Sequence, residues 1–269
     1  MSAIVDDVNK TEIQSAVLHL KSLIKCNAKL SQYEFDDYFL TRFLYASKFH
    51  IVIALELIQQ YEELRVSCPQ WFTPLTMQEL SDQKFGDRAV LKGRDRVGRR
   101  VFVMKIGQLD IQGCPLDKQC CLFQLLIDKL MLEKLTLENG VAIIIDVRNF
   151  PWKLIQWLTP NNIRMMAKLL ECYPTKELII HVVNKSHLVQ IGVKIVWPFL
   201  SEQRKKMIHF HFNDWESLHE HVDPKNLPQE YGGTGPDINV DEIKEQFLEH
   251  GDYLIKRSKQ NMYLVNKNH

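Results

Sequence analysis

Histidine is the side chain in this sequence best suited to chemistry near neutral pH, because its imidazole can transfer a proton or ligate a metal. His209 and His211 alternate along one predicted strand and share a face of it, and His181 lies on another predicted strand. A metal site needs further ligands at a characteristic spacing, and neither a spacing motif nor a matching carboxylate accompanies these residues. The pattern is typical of structural histidines, so we predict neither a catalytic residue nor a bound metal.

The sequence also lacks the motifs that position a nucleophile or a phosphate. It contains no Gly-x-Ser-x-Gly elbow, no Gly-x-Gly-x-x-Gly fingerprint after a strand and no Gly-Lys-Ser/Thr loop. The 34 basic and 33 acidic side chains nearly cancel, whereas a protein that binds nucleic acid carries a basic surplus. We predict a protein that is not an enzyme, has no cofactor and does not bind nucleic acid.

The cysteines and the N-terminus bear on the cellular compartment. The six cysteines contain no Cys-x-x-Cys pair, and Cys120 and Cys121 are adjacent on a predicted helix, which is typical of free thiols in a reducing compartment. Residues 1–10 carry Asp6 and Asp7 and lack the apolar segment of a secretion signal, and no later apolar run reaches bilayer-spanning length. These features predict a cytoplasmic protein with peripheral membrane association.

Two kinds of hydrophobic periodicity divide the chain. Apolar residues recur every three or four positions through residues 11–64, which predicts a small helical module that ends near Pro69 and Pro74. Short runs rich in β-branched residues then predict strands at 89–91, 101–106, 141–147, 178–183 and 207–212. The segments between them predict helices at 116–137, 161–172 and 187–200. Alternating strands and helices indicate the α/β class.

Particular residues carry more information than this periodicity. Residues 37–49 resemble the D-x-x-L-x-R-F-L-R-A-R-x-F signature of the CRAL-TRIO (Sec14-like) lipid-binding family, with Tyr45 and Ser47 in place of two basic residues. Further matches follow in the family's order at 95–101, 145–147, 173–174, 181–184, 198–202 and 227–233. The pattern is most similar to the α-tocopherol transfer protein-like and retinaldehyde-binding members of that family.

The resemblance implies the organisation and the function of the chain. Residues 11–74 correspond to the N-terminal helical module, 75–236 to the lipid-binding domain and 237–269 to a C-terminal helix and tail. The lipid-binding domain is expected to have a mixed β-sheet as its floor, helical walls and a mobile gate helix. The implied function is the binding of a tocopherol, retinoid, carotenoid or similar lipophile and its transfer between membranes.

The resemblance also implies which residues contact the ligand. The segment 187–200 occupies the gate position, and its apolar face comprises Leu188, Ile191, Ile195 and Phe199. From the helix at 116–137 the expected contacts are Leu122, Phe123, Leu126, Ile127 and Leu130. The expected contacts from later elements are Ile143, Ile145, Met165, Leu169, Tyr173, Ile180 and Val182. Tyr173 can donate a hydrogen bond to the polar end of a ligand.

Phosphoinositide binding is a weaker implication of the resemblance. Relatives grip the head group with two basic pairs, but here Lys176 matches one position while Leu178, Gln203 and Met207 replace the others. A displaced basic patch could come from Arg204, Lys205 and Lys206, and a solvated basic surface is the alternative. A second hypothesis for the whole chain is a membrane-associated adaptor that recognises such head groups or a protein partner and has a vestigial cavity.

Overall fold

The N-terminal part of the protein is a three-helix module in the computed structural model, which describes residues 2–260. The predicted tail at 261–269 lies outside the described residues. The helices are α1 (Ser2–Cys26), α2 (Asp37–Ala46) and α3 (Ile51–Ser67). The Asp36 carboxylate accepts a hydrogen bond of 2.6 Å from the backbone N–H of Phe39 and so caps α2. The three helices enclose a core of their own that includes Val17, Phe43 and Ile58.

A short connection leads from this module to the sheet. A 3₁₀ turn at Pro69–Trp71 is followed by α4 (Met77–Asp82). Thr76 and Glu79 form a capping box at the start of α4, which satisfies two backbone N–H groups that the helix itself leaves unpaired. Trp71 is 1% exposed, so the connection is packed into the protein.

The second part of the protein is built on a five-stranded sheet in the order β1-β2-β3-β4-β5. The strands are β1 (Arg88–Arg94), β2 (Arg100–Lys105), β3 (Val141–Asp146), β4 (Leu178–Val183) and β5 (Ile208–Phe212). β1 pairs with β2 antiparallel, and the remaining neighbours are parallel. The predicted α/β class and the mixed sheet are confirmed.

Helices connect the parallel strands or follow the last of them, and two of these helices differ from the sequence prediction. The elements are α5 (Leu116–Met131), α6 (Lys134–Asn139), α7 (Pro160–Cys172), α8 (His187–Val196), α9 (Glu202–Lys205), α10 (Trp215–His219) and α11 (Val240–Gln260). The helix predicted at 116–137 is two helices, because Glu133 adopts an extended backbone and its carboxylate binds Arg94 at 2.6 Å. The helix predicted at 187–200 ends at Val196 and continues as a 3₁₀ turn that contains Pro198, whose ring cannot sit in an α-helix interior.

The two faces of the sheet are covered by different parts of the chain. Crossovers between parallel strands are almost always right-handed, and with the strands in sequence order this places the connecting helices on one face. Phe102 and Ile143 point to this helical face and join a core with α5 and α7. Alternate residues such as Val103 and Ile144 point to the back face, where they pack against the segment that follows β5. That segment contributes Leu218, Val222, Leu227 and Tyr231.

Gly140 is required by the turn that starts β3. Its φ of 93° and ψ of −159° belong to a region that only glycine occupies readily, and an added Cβ would lie 2.2 Å from the Glu177 carbonyl oxygen. We expect Gly140→Ala to lower the free energy of unfolding by at least about 2 kcal/mol in urea denaturation. Gly86→Ala is the control, because its Cβ would approach only the Gln108 side chain at 3.9 Å. Equal stability of the two variants would contradict this account.

Candidate functional site

A cavity of about 310 Å³ lies on the helical face of the sheet. Its walls are α5, α7 and the 3₁₀ segment Trp152–Trp157, and the end of β2 supplies part of its floor. The lining consists of Met104, Ile106, Leu109, Leu116, Gln119, Cys120, Phe123, Phe150, Leu154, Trp157, Leu158, Met166, Leu169 and Leu170. Its size and apolar composition are those of a small-molecule site.

Helical periodicity explains why α5 and α7 present apolar walls. Leu116, Cys120 and Phe123 recur at intervals of four and three residues on α5, so they share one face. On α7, Met166 and Leu170 are four residues apart and flank Leu169 in the same way. The helix α7 begins at Pro160, where the Thr159 hydroxyl accepts a hydrogen bond from the Asn162 backbone N–H at 3.2 Å. This cap fixes the point from which the α7 wall starts.

Gln119 supplies an amide to the lining, and a buried ion pair holds it in place. Arg88 donates to the Gln119 side-chain oxygen at 2.6 Å and to the Asp87 carboxylate at 3.1 Å. Asp87 and Arg88 are each 2% exposed, so the charges neutralise each other away from solvent. Because the amide oxygen is already engaged, the amide NH₂ is the group that Gln119 can offer to a ligand.

Cys120 is the thiol in the lining. Burial raises the pKa of the Cys120 thiol far above its ordinary value, and the neighbouring Cys121 adds to this effect. The thiol therefore stays protonated at neutral pH, whereas a nucleophilic cysteine acts as the thiolate. In this cavity Cys120 serves as a small apolar side chain.

The structure distributes the predicted ligand contacts other than Tyr173 over three environments. Phe123 and Leu169 line the cavity. Most of the others are packed into the sheet domain, either in its core or on the helical face of β3 and β4; they are Leu122, Leu126, Ile127, Leu130, Ile143, Ile145, Met165, Ile180 and Val182. The gate positions Ile191, Ile195 and Phe199 are exposed by 50%, 36% and 39%, and Leu188 is half-buried.

Tyr173 lies at the junction with the N-terminal module. Its hydroxyl is 3.3 Å from both the Gln124 carbonyl oxygen and the Asp128 carboxylate, and the guanidinium of Arg42 lies over its ring. Burial raises the pKa of the Tyr173 hydroxyl well above its ordinary value, so the hydroxyl is protonated. The hydrogen bond that the sequence assigns to a ligand is directed to protein groups here.

The helix α8, which is predicted to be the gate, lies at the rim of the cavity and presents much of its apolar surface outward. A Cβ added at Gly192 would lie 3.5 Å from the Leu158 side chain, which belongs to the lining. Trp152, from the neighbouring 3₁₀ segment, is 63% exposed. Large apolar side chains that are exposed together commonly mark a surface for a partner or a membrane.

Two of the four candidate head-group residues bind neighbouring carboxylates. Arg204 contacts Glu171 at 3.3 Å, and Lys205 contacts Glu202 at 2.7 Å. Lys206 is exposed on the turn after α9, and Lys176 is half-buried before β4. Pairing of Arg204 and Lys205 within the protein reduces the positive charge that this surface offers to a phosphate.

Sequence reasoning missed the wall formed by residues 150–158. Phe150, Leu154, Trp157 and Leu158 all line the cavity, but they lie in or next to the 3₁₀ segment Trp152–Trp157, which has no helical or strand period. The available signal was the density of large apolar residues after Pro151. Such a run within a connection between two elements indicates a buried segment rather than a solvated loop.

Comparison with known proteins agrees with this architecture. The model of the CRAL/TRIO domain matches residues 85–233. The chain belongs to the CRAL/TRIO family. Clavesin-2 from Mus musculus is 32% identical over 222 residues, which cover 80% of this chain and 67% of clavesin-2. Clavesin-1 from Xenopus laevis is 28% identical over 236 residues, which cover 86% of this chain and 71% of clavesin-1.

A solved structure supports the fold independently of close sequence similarity. The crystal structure of Sfh5 superimposes with a TM-score of 0.55 at 14% identity and covers 88% of this chain and 90% of that chain. This likeness confirms the predicted Sec14-like fold, and the family match confirms the predicted CRAL/TRIO membership. Members of this family bind small lipophilic ligands, and the particular likeness to tocopherol or retinaldehyde carriers stays a prediction. Within residues 2–260, no helix combines the length and apolar character needed to cross a bilayer.

Proposed function

We propose that this CRAL/TRIO protein carries a small lipophile in the cavity between α5 and α7 and transfers it between membranes. The observation that carries the proposal is the 310 Å³ cavity with its nearly continuous apolar lining. Burial of a ligand there would gain roughly 0.8 kcal/mol for each CH₂ group removed from water. A bilayer offers similar burial, so loading and release are nearly balanced once the protein meets a membrane.

The lining also suggests the chemical class of the cargo. The amide NH₂ of Gln119 favours a ligand with one hydrogen-bond acceptor, such as a hydroxyl, an aldehyde or a carbonyl oxygen, on an otherwise apolar body. A tocopherol, a retinoid and a carotenoid alcohol all satisfy this requirement. The protonated Cys120 thiol supports carriage without chemical conversion of the cargo.

Membrane contact is assigned to the exposed apolar face of α8 and the turn that follows it. Ile191, Ile195 and Phe199 lie on this surface, and Trp152 is exposed on the adjacent segment. Apolar side chains of this kind insert into the interface between head groups and acyl chains. Lys176 and Lys206 would add attraction to anionic lipids, including phosphoinositides. We place the protein in the cytoplasm, where its free thiols stay reduced.

A double substitution on α8 separates transfer from binding. We expect Ile191→Asp with Ile195→Asp to slow transfer of a fluorescent lipophile between vesicles at least about tenfold, because two carboxylates replace apolar groups that enter the membrane interface. Ligand affinity in solution should change little, because neither residue lines the cavity. Ile53→Asp is the matched control, since Ile53 is 46% exposed on α3. Equal transfer rates for the parent protein, the double variant and Ile53→Asp would show that α8 is not the membrane-contacting surface.

The cargo itself is tested by organic extraction and mass spectrometry of the purified protein, followed by displacement of a fluorescent lipophile. A stoichiometric ligand with a single polar acceptor supports the carrier function and names the cargo. The adaptor hypothesis would instead be supported by a combination of three results. These are no extracted ligand, no displacement of the probe by any lipophile, and lipid-dependent docking of the empty protein.

A further inference from the structure

Four histidines converge on the back face of the sheet, away from the cavity. His181 on β4 lies directly opposite His209 on β5, and His211 follows on the same face. His221 approaches from the segment after α10, and its ring centre lies 4.8 Å from that of His181 and 4.6 Å from that of His209. Ring packing at these distances is common, so the arrangement of the nitrogen atoms decides what the cluster can do.

The nitrogen atoms of three of these rings are close together. One nitrogen each from His181, His211 and His221 can be chosen so that all three lie within 4.8 Å of one another. The shortest contact joins His181 Nδ1 to His211 Nε2 at 2.9 Å. In a tetrahedral zinc site with Zn–N bonds of about 2.1 Å, neighbouring nitrogens lie about 3.4 Å apart. Small rotations of the imidazoles would bring the three nitrogens to this separation.

Hydrogen bonds hold the His211 ring in a ligand-like orientation. The Ser217 hydroxyl donates to the Asp214 carbonyl oxygen at 3.1 Å, so its oxygen is available to accept from His211 Nδ1 at 2.6 Å. With the proton on Nδ1, the Nε2 lone pair of His211 faces the cluster. Metal-binding histidines commonly donate their second N–H to an oxygen in this way.

His181 provides a second, independent observation that points to a ligand site. The residue is completely buried, and its Nε2 has no hydrogen-bond partner within the described residues. A buried polar nitrogen without a partner carries a desolvation cost that native proteins avoid. Coordination of a cation through Nε2 would remove that cost.

We propose that His181, His211 and His221 form a binding site for a divalent transition metal, with Zn²⁺ as the cation that three neutral imidazoles suit. Zinc is held by three histidines in known sites with an open fourth position. The ring of His209 packs against those of His181 and His221. The sequence interpretation as structural histidines did not count His221, which belongs to no short spacing motif with the other two.

The electrostatic surroundings are compatible with a cation. Arg99 is the guanidinium that acts on the cluster. Its charge is balanced by Asp95 at 2.6 Å and Glu177 at 2.9 Å.

Such a metal would join the segment after β5 to the sheet. His221 directly precedes Val222, which belongs to the back-face core, whereas His181 and His211 belong to strands. A cation shared by these elements would bind the folded chain and not the unfolded one, so it would raise the melting temperature by mass action. The site is therefore structural, and it is independent of the proposed cargo.

The test uses the full chain after removal of metals with EDTA and dialysis. Titration with Co²⁺, a spectroscopic substitute for Zn²⁺, should give one equivalent of bound metal per chain with the visible absorption of a tetrahedral site. A competing chelator then reports the Zn²⁺ affinity. His221→Ala should weaken Zn²⁺ binding by more than about tenfold, since even loss of a supporting hydrogen bond costs 10- to 100-fold. His187→Ala, at an exposed histidine on α8, should bind as the parent protein does.

Two results would overturn the proposal. One is the lack of a stoichiometric metal in the parent protein together with no rise in its melting temperature on addition of Zn²⁺. The other is Zn²⁺ affinity in His221→Ala equal to that of the parent protein. Far-UV circular dichroism establishes whether His221→Ala is folded. If it is not, the melting temperature of the parent protein with and without Zn²⁺ decides the question.

Discussion

Replacing Leu170 with tryptophan is expected to reduce the affinity for a lipophilic ligand by about tenfold. The indole would occupy the cavity between α5 and α7, where Leu170 is part of the lining. Overpacking a filled site costs about 1–3 kcal/mol, and each 1.4 kcal/mol corresponds to about a tenfold change in affinity. In the ligand-free protein the indole fills existing space, so we expect the melting temperature to stay the same or to rise. Fluorescence titration with a retinoid or a tocopherol measures the affinity.

Leu135→Trp is the matched control for this variant. Leu135 is 55% exposed on α6, so the same substitution there adds an indole without entering the cavity. We expect this variant to bind ligand as the parent protein does. If Leu170→Trp also binds normally, the lipophile occupies another part of the protein and the proposed cavity is wrong.

A large loss of folding stability is expected from a substitution at the junction between the helical module and the sheet domain. Arg42 on α2 is 5% exposed, and its guanidinium binds the Asp128 carboxylate on α5 at 2.7 Å. Asp128→Asn would leave a buried positive charge without its anionic partner. Breaking a buried pair in this way commonly costs about 3–5 kcal/mol, so we expect the free energy of unfolding to fall by about 3 kcal/mol in urea denaturation.

Glu63→Gln provides the comparison for Asp128→Asn. Glu63 binds Lys29 at 2.8 Å, but both side chains are more than half exposed, and surface pairs of this kind contribute about 0–1 kcal/mol. A similar small loss in both variants would mean that solvent or a nearby group compensates Arg42. In that case the junction would be held mainly by its apolar contacts.

The sequence predicted the fold well because local and global signals agree in the sheet. The run at β3 is apolar on both faces, as a central parallel strand must be. Gly140 and Gly232 stand at positions with φ of 93° and 70°, where the chain needs a residue without a Cβ. Such features are local, so they can be recognised without knowledge of the tertiary structure.

The cavity was predicted less completely because an empty space is not a local property. Leu126 and Leu169 have the same chemistry and both belong to wall helices, yet only a tertiary arrangement puts Leu126 in the core and Leu169 on the lining. The apolar residues of the cavity wall at 150–158 follow neither the helical nor the strand period. The hydrogen-bond partners of Tyr173 lie on α5, some 45 and 49 residues earlier in the chain. The spacing of residues in the sequence could not predict contacts between positions so far apart.

Because side chains alternate along β2 and β3, the two faces of the sheet can be altered independently of each other. Phe102 and Ile143 point to the helical face, on which the cavity lies, whereas Val103 and Ile144, one residue further along, point to the back face. A protein engineer could therefore reshape the cargo side at every second position, and selection for a new ligand need not disturb the histidines or the C-terminal segment behind the sheet. The same backbone would then serve as a scaffold for a series of sensors that differ only in the molecule they retain.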